Sequence, residues 1–181
     1  MPFIEMVEPE SARGLLAELY TQIAKARGGV ADIHKVQSLN PRAMAAHLDL
    51  YKAIMFQPGP LSRQWREAIA VAVSRANSCA YCVAHHQAAL DGLEAAEVPP
   101  GLLTWAARMT THPGGAAPDD VAELRTLGLS DRAILDAILV VGYFNYVNRL
   151  VLATGLAVEP DFEKTCRPTL GTDDPGDGGG A

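Results

Sequence analysis

The chain of 181 residues carries a formal net charge of −6, and 49% of its residues are hydrophobic, which suits one domain with a core of its own. An acidic chain without a basic cluster is a poor partner for nucleic acid, so we expect no such partner. Three cysteines do not make the disulfide framework of a small secreted protein, and we therefore expect a cytoplasmic location, where a close cysteine pair is more often catalytic or metal-binding than structural.

The first part of the chain shows two helical patterns. It begins with MPFIEMVEPE, which is acidic and lacks the apolar stretch of a signal peptide, so we expect no targeting segment. Leucine and isoleucine at helical spacing predict a helix over 10–26, which Gly28 and Gly29 end. Asn40 precedes a second predicted helix over 41–55, and a proline-containing loop follows it.

Two further helices are predicted near the centre of the chain, and each begins after a serine. Ser62 is the expected N-cap of a helix that runs to about Ala76, and this helix carries the carboxylate of Glu67 along its apolar stripe. Ser78 is the expected N-cap of the next helix, over 79–90. The cysteine pair of the chain therefore falls in the first turn of a helix.

The second half of the chain continues the helical pattern. Helices are predicted at 102–111, at 118–127 and at 131–154. Ser130 is the expected N-cap of the last helix, and Gly155 is its expected stop. The longest apolar stretch, 133–141, is interrupted by Asp136 and is too short to cross a bilayer, so we expect no membrane association.

The predicted fold class is all-α, a single helical bundle. No segment has the alternation of a strand, and alanine and leucine dominate the composition. We place the domain at 1–167. The remaining residues, 168–181, are rich in glycine, aspartate and proline, and we expect them to be disordered.

The segment NSCAYCVAHH holds the chemistry that the sequence makes visible. Cys79, Cys82 and His86 have the i, i+3, i+7 spacing that places side chains on one face of a helix, and two cysteines in one turn lie roughly 5–6 Å apart at Cα, within reach of a disulfide. A helix N-terminus stabilises a thiolate, and this favours Cys79. His86 lies one turn beyond Cys82 and can take its proton. The local physics does not decide which cysteine reacts first.

Two more side chains are relevant to the role of His86: His85 is an alternative base, and Glu67 is a possible partner of His86. His85 is also within reach of Cys82, but on the helix it lies about 120° from Cys79, whereas His86 lies about 20° away. A carboxylate on an apolar stripe is costly unless it is hydrogen-bonded. Glu67 is therefore the expected orienting partner of His86.

Other interpretations of the pair remain open. The cysteines could be two small buried residues, and we expect His34, His47 and His112 to be structural and Cys166 to have no role in the site. A zinc site is the sharper alternative, although the chain has no second Cys-x-x-Cys pair. Its ligands would be Cys79, Cys82 and either His85 or His86, with Cys166 or His112 as the fourth.

The spacing Glu67-x11-Cys79-x-x-Cys82-x-x-x-His86 resembles the signature of the AhpD-like (alkyl hydroperoxidase D-like) proteins of the carboxymuconolactone decarboxylase superfamily. The flanking segments REAIAVAVSRANSCAYCVAHHQAAL and YFNYVNRLVLATGL are similar to the group usually called peroxidase-related enzymes. The resemblance implies an all-helical fold and an obligate oligomer, a homotrimer or a homohexamer.

The resemblance also implies a reaction. Cys82 would attack a hydroperoxide and become a sulfenic acid, and Cys79 would then resolve it to a redox-active disulfide. His86 and Glu67 would form a proton relay, with Glu67 acting through water. An external dithiol donor, a lipoyl-bearing or thioredoxin-like protein, would restore the thiols. No metal and no organic cofactor is implied.

Auxiliary candidates and alternative functions complete the prediction. His85 is a possible second base, and Asn145, Asn148 and Arg149 would line a pocket or a subunit contact. Instead of a peroxide, the substrate of the pair could be a protein disulfide, as in a thiol–disulfide oxidoreductase. A protein of another class, a non-catalytic helical oligomer stabilised by zinc, is the second alternative.

Overall fold

A computed structural model describes residues 2–162, and within them the predicted all-α fold is confirmed. Cys166 and the expected disordered tail at 168–181 lie outside the described residues. The described part of the chain forms short 3-10 helices at Pro9–Ser11 and Pro113–Gly115 and the α-helices α1 (Leu15–Arg27), α2 (Asp32–Lys35), α3 (Pro41–Met55), α4 (Arg63–Ala76), α5 (Ala80–Asp91), α6 (Pro100–Thr111), α7 (Pro118–Thr126) and α8 (Asp131–Thr154).

The longest helix, α8, lies at the centre of the bundle and has the predicted ends. The Ser130 side chain accepts a hydrogen bond from the Ala133 amide at 3.3 Å, and Gly155 ends the helix with a left-handed φ of 67°, a conformation that glycine adopts without strain. One side of α8 is buried against α4 and α6. The main core of the domain is thus built between these helices.

By length and composition, α8 could also cross a membrane. The length argument against a membrane span is therefore wrong, because the apolar segment is not limited to 133–141 but continues with α8 to Thr154. Asp136 is buried and accepts from Arg132 at 3.0 Å. Half of the apolar window of α8 is buried inside the fold, which is the pattern of a core helix.

The helix that carries Glu67 also begins where the sequence predicts. The Ser62 side chain accepts a hydrogen bond from the Trp65 amide at 3.2 Å, which satisfies one of the free donors of the first turn of α4. α4 packs against α5, α6 and α8, and this central position buries Glu67 completely.

The N-terminal region differs from the prediction. Helix α1 begins at Leu15 instead of residue 10, because Pro9–Ser11 form a separate 3-10 helix and Gly14, with φ 55°, interrupts the chain between them. α1 packs on α3 in a second apolar cluster. The sequence analysis also missed α2, which has only four residues and is too short to show a hydrophobic period.

Candidate dithiol site

A tight turn between α4 and α5 presents the first cysteine. Ser78 does not cap α5 as predicted: it has a left-handed φ of 56°, and Cys79 itself is the N-cap residue, with α5 beginning at Ala80. The Cys79 amide donates to the carbonyl of Ser74 at 2.9 Å. Positive φ is uncommon for serine and costs about 1–3 kcal/mol, so the surrounding hydrogen bonds hold the turn in this shape.

The two thiols lie side by side and are reduced. The Sγ atoms of Cys79 and Cys82 are 2.9 Å apart, and both residues are buried, with exposures of 0% and 2%. The hydrogen bond from Cys82 lowers the pKa of Cys79, which outweighs the effect of burial. The same contact, together with burial, raises the pKa of Cys82. Cys79 is therefore the thiol that ionises first, in the direction that the helix N-terminus also favours.

His86 is held by a direct hydrogen bond to Glu67. The distance from His86 Nδ1 to Glu67 Oε2 is 2.7 Å, where the resemblance implies a bridging water. A carboxylate only accepts hydrogen bonds, so Nδ1 carries the hydrogen and the lone pair of Nε2 is left for another proton. The ring of Phe144 packs edge-on against the imidazole, at 4.5 Å between centroids, and fixes its orientation.

The other oxygen of Glu67 binds a residue that the sequence analysis missed. Arg63 donates to Oε1 through Nε at 2.8 Å and also through Nη2. Burial raises the pKa of Glu67, but the charges and hydrogen bonds of His86 and Arg63 outweigh it and lower that pKa. The i, i+4 spacing of Arg63 and Glu67 on α4 was the available signal.

Asparagines connect the turn to α8. Asn148, which is buried, donates to Ser74 Oγ at 3.2 Å and accepts from Asn77 Nδ2 at 2.9 Å. A hydrogen bond from Asn148 also acts on Cys82 and lowers its pKa, against the larger opposing effects. Arg149 lies farther from the thiols in this network, because it donates to Asn145, at 2.8 Å to Oδ1 and 2.7 Å to the carbonyl. Of these candidates, Asn148 is the one beside the thiols.

Two of the predicted auxiliary residues, Asn145 and Arg149, line a groove at the surface. This groove, about 350 Å³ in volume, lies between α6 and α8, and its wall includes Ile138, Tyr146 and the predicted pair Asn145 and Arg149.

His85 points away from the thiol pair and binds the segment that follows α8. Its Nε2 lies 3.0 Å from Glu159 Oε2, and its ring stacks on Tyr81 at 4.3 Å. Glu159 also accepts from the Tyr81 hydroxyl at 2.9 Å and from the Asp32 amide at 2.8 Å. Burial raises the pKa of Glu159, but these hydrogen bonds prevail and bring it to about 2. Residue 159 thus ties α2 and α5 to the C-terminal segment.

Of the three histidines expected to be structural, His34 and His47 are buried and His112 is exposed. Gln37 donates to the Ile33 carbonyl at 2.8 Å, so its Oε1 faces His47 Nδ1 at 2.9 Å. This assigns the hydrogen to Nδ1 and leaves His47 Nε2 to accept from the Tyr143 hydroxyl at 2.6 Å. Among the described residues, neither ring nitrogen of His34 has a hydrogen-bond partner, and burial lowers the pKa of His34 well below the usual range.

Within residues 2–162, no group of three or more histidine, cysteine, aspartate or glutamate side chains is placed to hold a metal ion. His85 and His86 bind carboxylates, and His112 is exposed at the end of α6. The described residues therefore do not assemble the ligand set considered for zinc.

Solved structures with a similar fold include two peroxidase-related proteins. One, from Ralstonia eutropha JMP134 with an alkylhydroperoxidase AhpD core, is 22% identical, with a TM-score of 0.79 over 92% of this chain and 96% of that one. The other, from Silicibacter sp. TM1040, is 26% identical, with a TM-score of 0.75 over 91% and 100%. The debrominase Bmp8 is 19% identical, with a TM-score of 0.67 over 91% and 96%, and shares the fold. No curated protein matches the chain.

Residues 41–113 match the model of the carboxymuconolactone decarboxylase family. This segment is therefore similar to the carboxymuconolactone decarboxylase family, and the fold is similar to those of AhpD-like, peroxidase-related proteins. The matched range contains α4 and α5 whole, and with them Glu67, both thiols and His86. Helix α8, which supplies Phe144 and Asn148 to the site, lies outside that range.

Proposed function

We propose that this AhpD-like protein is a thiol-dependent peroxidase, which reduces hydroperoxides with Cys79 and Cys82 and is recycled by an external dithiol donor. The observation that carries the proposal is the pair of reduced, buried sulfur atoms at 2.9 Å, one turn from a histidine held by a carboxylate at 2.7 Å. The peroxidase-related names of similar structures support the same class of enzyme.

The first half-reaction breaks the O–O bond. His86 Nε2 takes the proton of Cys82, and the Cys82 thiolate attacks the terminal oxygen of ROOH. The bond between the two oxygens breaks, the alkoxide takes the proton back from His86, and ROH leaves. Cys82 is now a sulfenic acid, so it has been oxidised by two electrons while the peroxide has been reduced by two.

The second half-reaction closes the disulfide. The Cys79 thiolate attacks Cys82 Sγ, the S–O bond breaks, and hydroxide leaves as water with the second thiol proton. The lowered pKa of Cys79 supports this role, because the resolving thiol then loses its proton more readily. A lipoyl-bearing or thioredoxin-like donor then reduces the disulfide by thiol exchange. Neither a metal nor an organic cofactor takes part, and we propose that the reaction takes place in the cytoplasm.

The mass of the metal-free, reduced protein tests the proposal. After one equivalent of tert-butyl hydroperoxide, the wild type should lose two hydrogens, with the new bond mapped to Cys79 and Cys82. A Cys82→Ser variant should not form this bond. A pair that stays reduced with peroxide but is oxidised by a protein disulfide favours the thiol–disulfide oxidoreductase. One tightly held zinc per chain, which protects the thiols from alkylation, favours the non-catalytic oligomer.

A further inference from the structure

Arg63 is the second hydrogen-bond partner of the carboxylate that holds His86. Glu67 is 0% exposed and has its two oxygens on two different partners: Oε2 on His86 and Oε1 on Arg63. The guanidinium lies 3.8 Å above the centre of the Phe56 ring, and its Nη1 lies 3.5 Å from the Met55 carbonyl. The side chain is 22% exposed, so these contacts fix Arg63 at the edge of the site.

The contact with Arg63 determines whether the buried carboxylate of Glu67 needs a bound proton to compensate its charge. A fully buried carboxylate is strongly disfavoured unless a positive charge or a proton compensates it. Arg63 is always charged, so with Glu67 it forms a pair of zero net charge. Without Arg63, compensation would have to come from a proton bound by Glu67 and His86 together, and these two groups titrate as a pair.

We propose that Arg63 is a positioning residue that keeps the Glu67–His86 pair free of a bound proton at neutral pH. His86 Nε2 is then an available base when the thiols are reduced. The inference rests on the proposed function only in naming Cys82 as the group that gives up its proton. The charged and aromatic groups around His86 fit it: α4 presents Glu67 and Arg63, and α8 presents the uncharged ring of Phe144. On α5, the neighbouring His85 is bound to Glu159, and Cys82 lies four residues before His86.

The first test is an NMR titration of the His86 imidazole in the reduced, full-length protein. Because an opposite charge within hydrogen-bond distance of a carboxylate moves a pKa by 1–3 units, and Arg63 acts through Glu67, the titration midpoint should rise by about one pH unit in Arg63→Gln. Arg63→Lys keeps the charge and should stay near the wild type. Arg125→Gln is the matched control, because Arg125 forms an exposed ion pair with Asp131. An unchanged midpoint in Arg63→Gln overturns the inference.

A second comparison remains informative if Arg63→Gln does not fold. The double variant Arg63→Gln/Glu67→Gln buries no unpaired charge, and its His86 midpoint should equal that of Glu67→Gln alone. A difference between these two variants means that Arg63 acts on His86 by another route, which also overturns the inference.

The pH profile of thiol oxidation by tert-butyl hydroperoxide separates this inference from the proposed function. In Arg63→Gln the profile should move upward with the NMR midpoint, so that the rate below both midpoints falls about tenfold. If the NMR midpoint moves while no variant, nor the wild type, is oxidised, the role of Arg63 stands and the peroxidase proposal fails. If the wild type is oxidised and the midpoint does not move, the peroxidase proposal stands and the role of Arg63 fails.

Discussion

At the scale of single residues, the thiols of Cys79 and Cys82 differ in pKa, which their spacing in the sequence does not indicate. Their sulfur atoms are neighbours, but the hydrogen bond between them lowers the pKa of Cys79 and raises that of Cys82. The resemblance to AhpD-like proteins assigns the first attack to Cys82. The electrostatics of this site favour the reverse order, in which the Cys79 thiolate attacks the peroxide and Cys82 resolves it.

A sulfenic acid trap decides the order. In a Cys79→Ser variant exposed to one equivalent of tert-butyl hydroperoxide and then to dimedone, a label on Cys82 is expected if Cys82 attacks first. The reciprocal Cys82→Ser variant is the matched control, and it should carry less label than Cys79→Ser if Cys82 attacks first. Labelling chiefly of Cys79 in that control would establish the reverse order.

At the scale of elements, the segment after α8 is attached to the thiol helix through one carboxylate. Glu159 accepts from α2 and from two side chains of α5, and the ring of Phe162 lies 5.3 Å from that of His85. These contacts join parts of the chain that are 74 to 127 residues apart. Since they hold the ionised form of Glu159, they make the attachment dependent on pH.

Replacing Glu159 by glutamine should therefore destabilise the fold in a pH-dependent manner. The pKa of Glu159 is about 2 in the folded protein and close to its ordinary value when unfolded, so the ionised form contributes stability above the ordinary pKa that is lost as the pH falls towards 2. Urea unfolding should show a loss of about 1–3 kcal/mol in Glu159→Gln at pH 7, and a smaller loss at pH 3. Glu94→Gln, on an exposed loop, is the control; equal losses at both pH values would contradict the assignment.

At the scale of the whole molecule, α8 shows an apolar stripe to the solvent. Leu135, Ile138, Leu139 and Tyr146 are between 40% and 50% exposed, and their spacing places them on one face of the helix, opposite to the side that supplies the core. The stripe continues into the groove between α6 and α8. An exposed apolar surface of this kind indicates an interface, and we propose that it joins copies of this chain into an oligomer.

Placing a charge in the stripe should dissociate the oligomer. The variant Leu139→Glu should sediment with a lower mass than the wild type, because a buried carboxylate without a partner costs several kcal/mol at each contact. Leu15→Glu, on α1 and similarly exposed at 42%, should keep the mass of the wild type. A Leu139→Glu protein of unchanged mass would place the interface elsewhere.

The predictable features of this protein are those with local signals. Ser62, Ser130 and Gly155 fix helix ends through bonds or dihedral angles of their own neighbourhood, and all three were predicted. The left-handed backbone of Ser78 was not, because serine rarely adopts it and the turn is held by contacts from α4. The bond between His85 and Glu159 spans 74 residues, and no periodic pattern reports such a pairing.

The distance between the two thiols has a consequence for how a binding partner distinguishes the reduced protein from the oxidised one. A disulfide bond is about 2.05 Å long, so closing it moves the Cys79 and Cys82 sulfurs together by only about 0.9 Å from their 2.9 Å separation. Nothing larger than a side-chain adjustment within one helical turn is required. A partner that binds elsewhere on the surface would then have equal affinity for both redox states, and such a ligand cannot tell them apart.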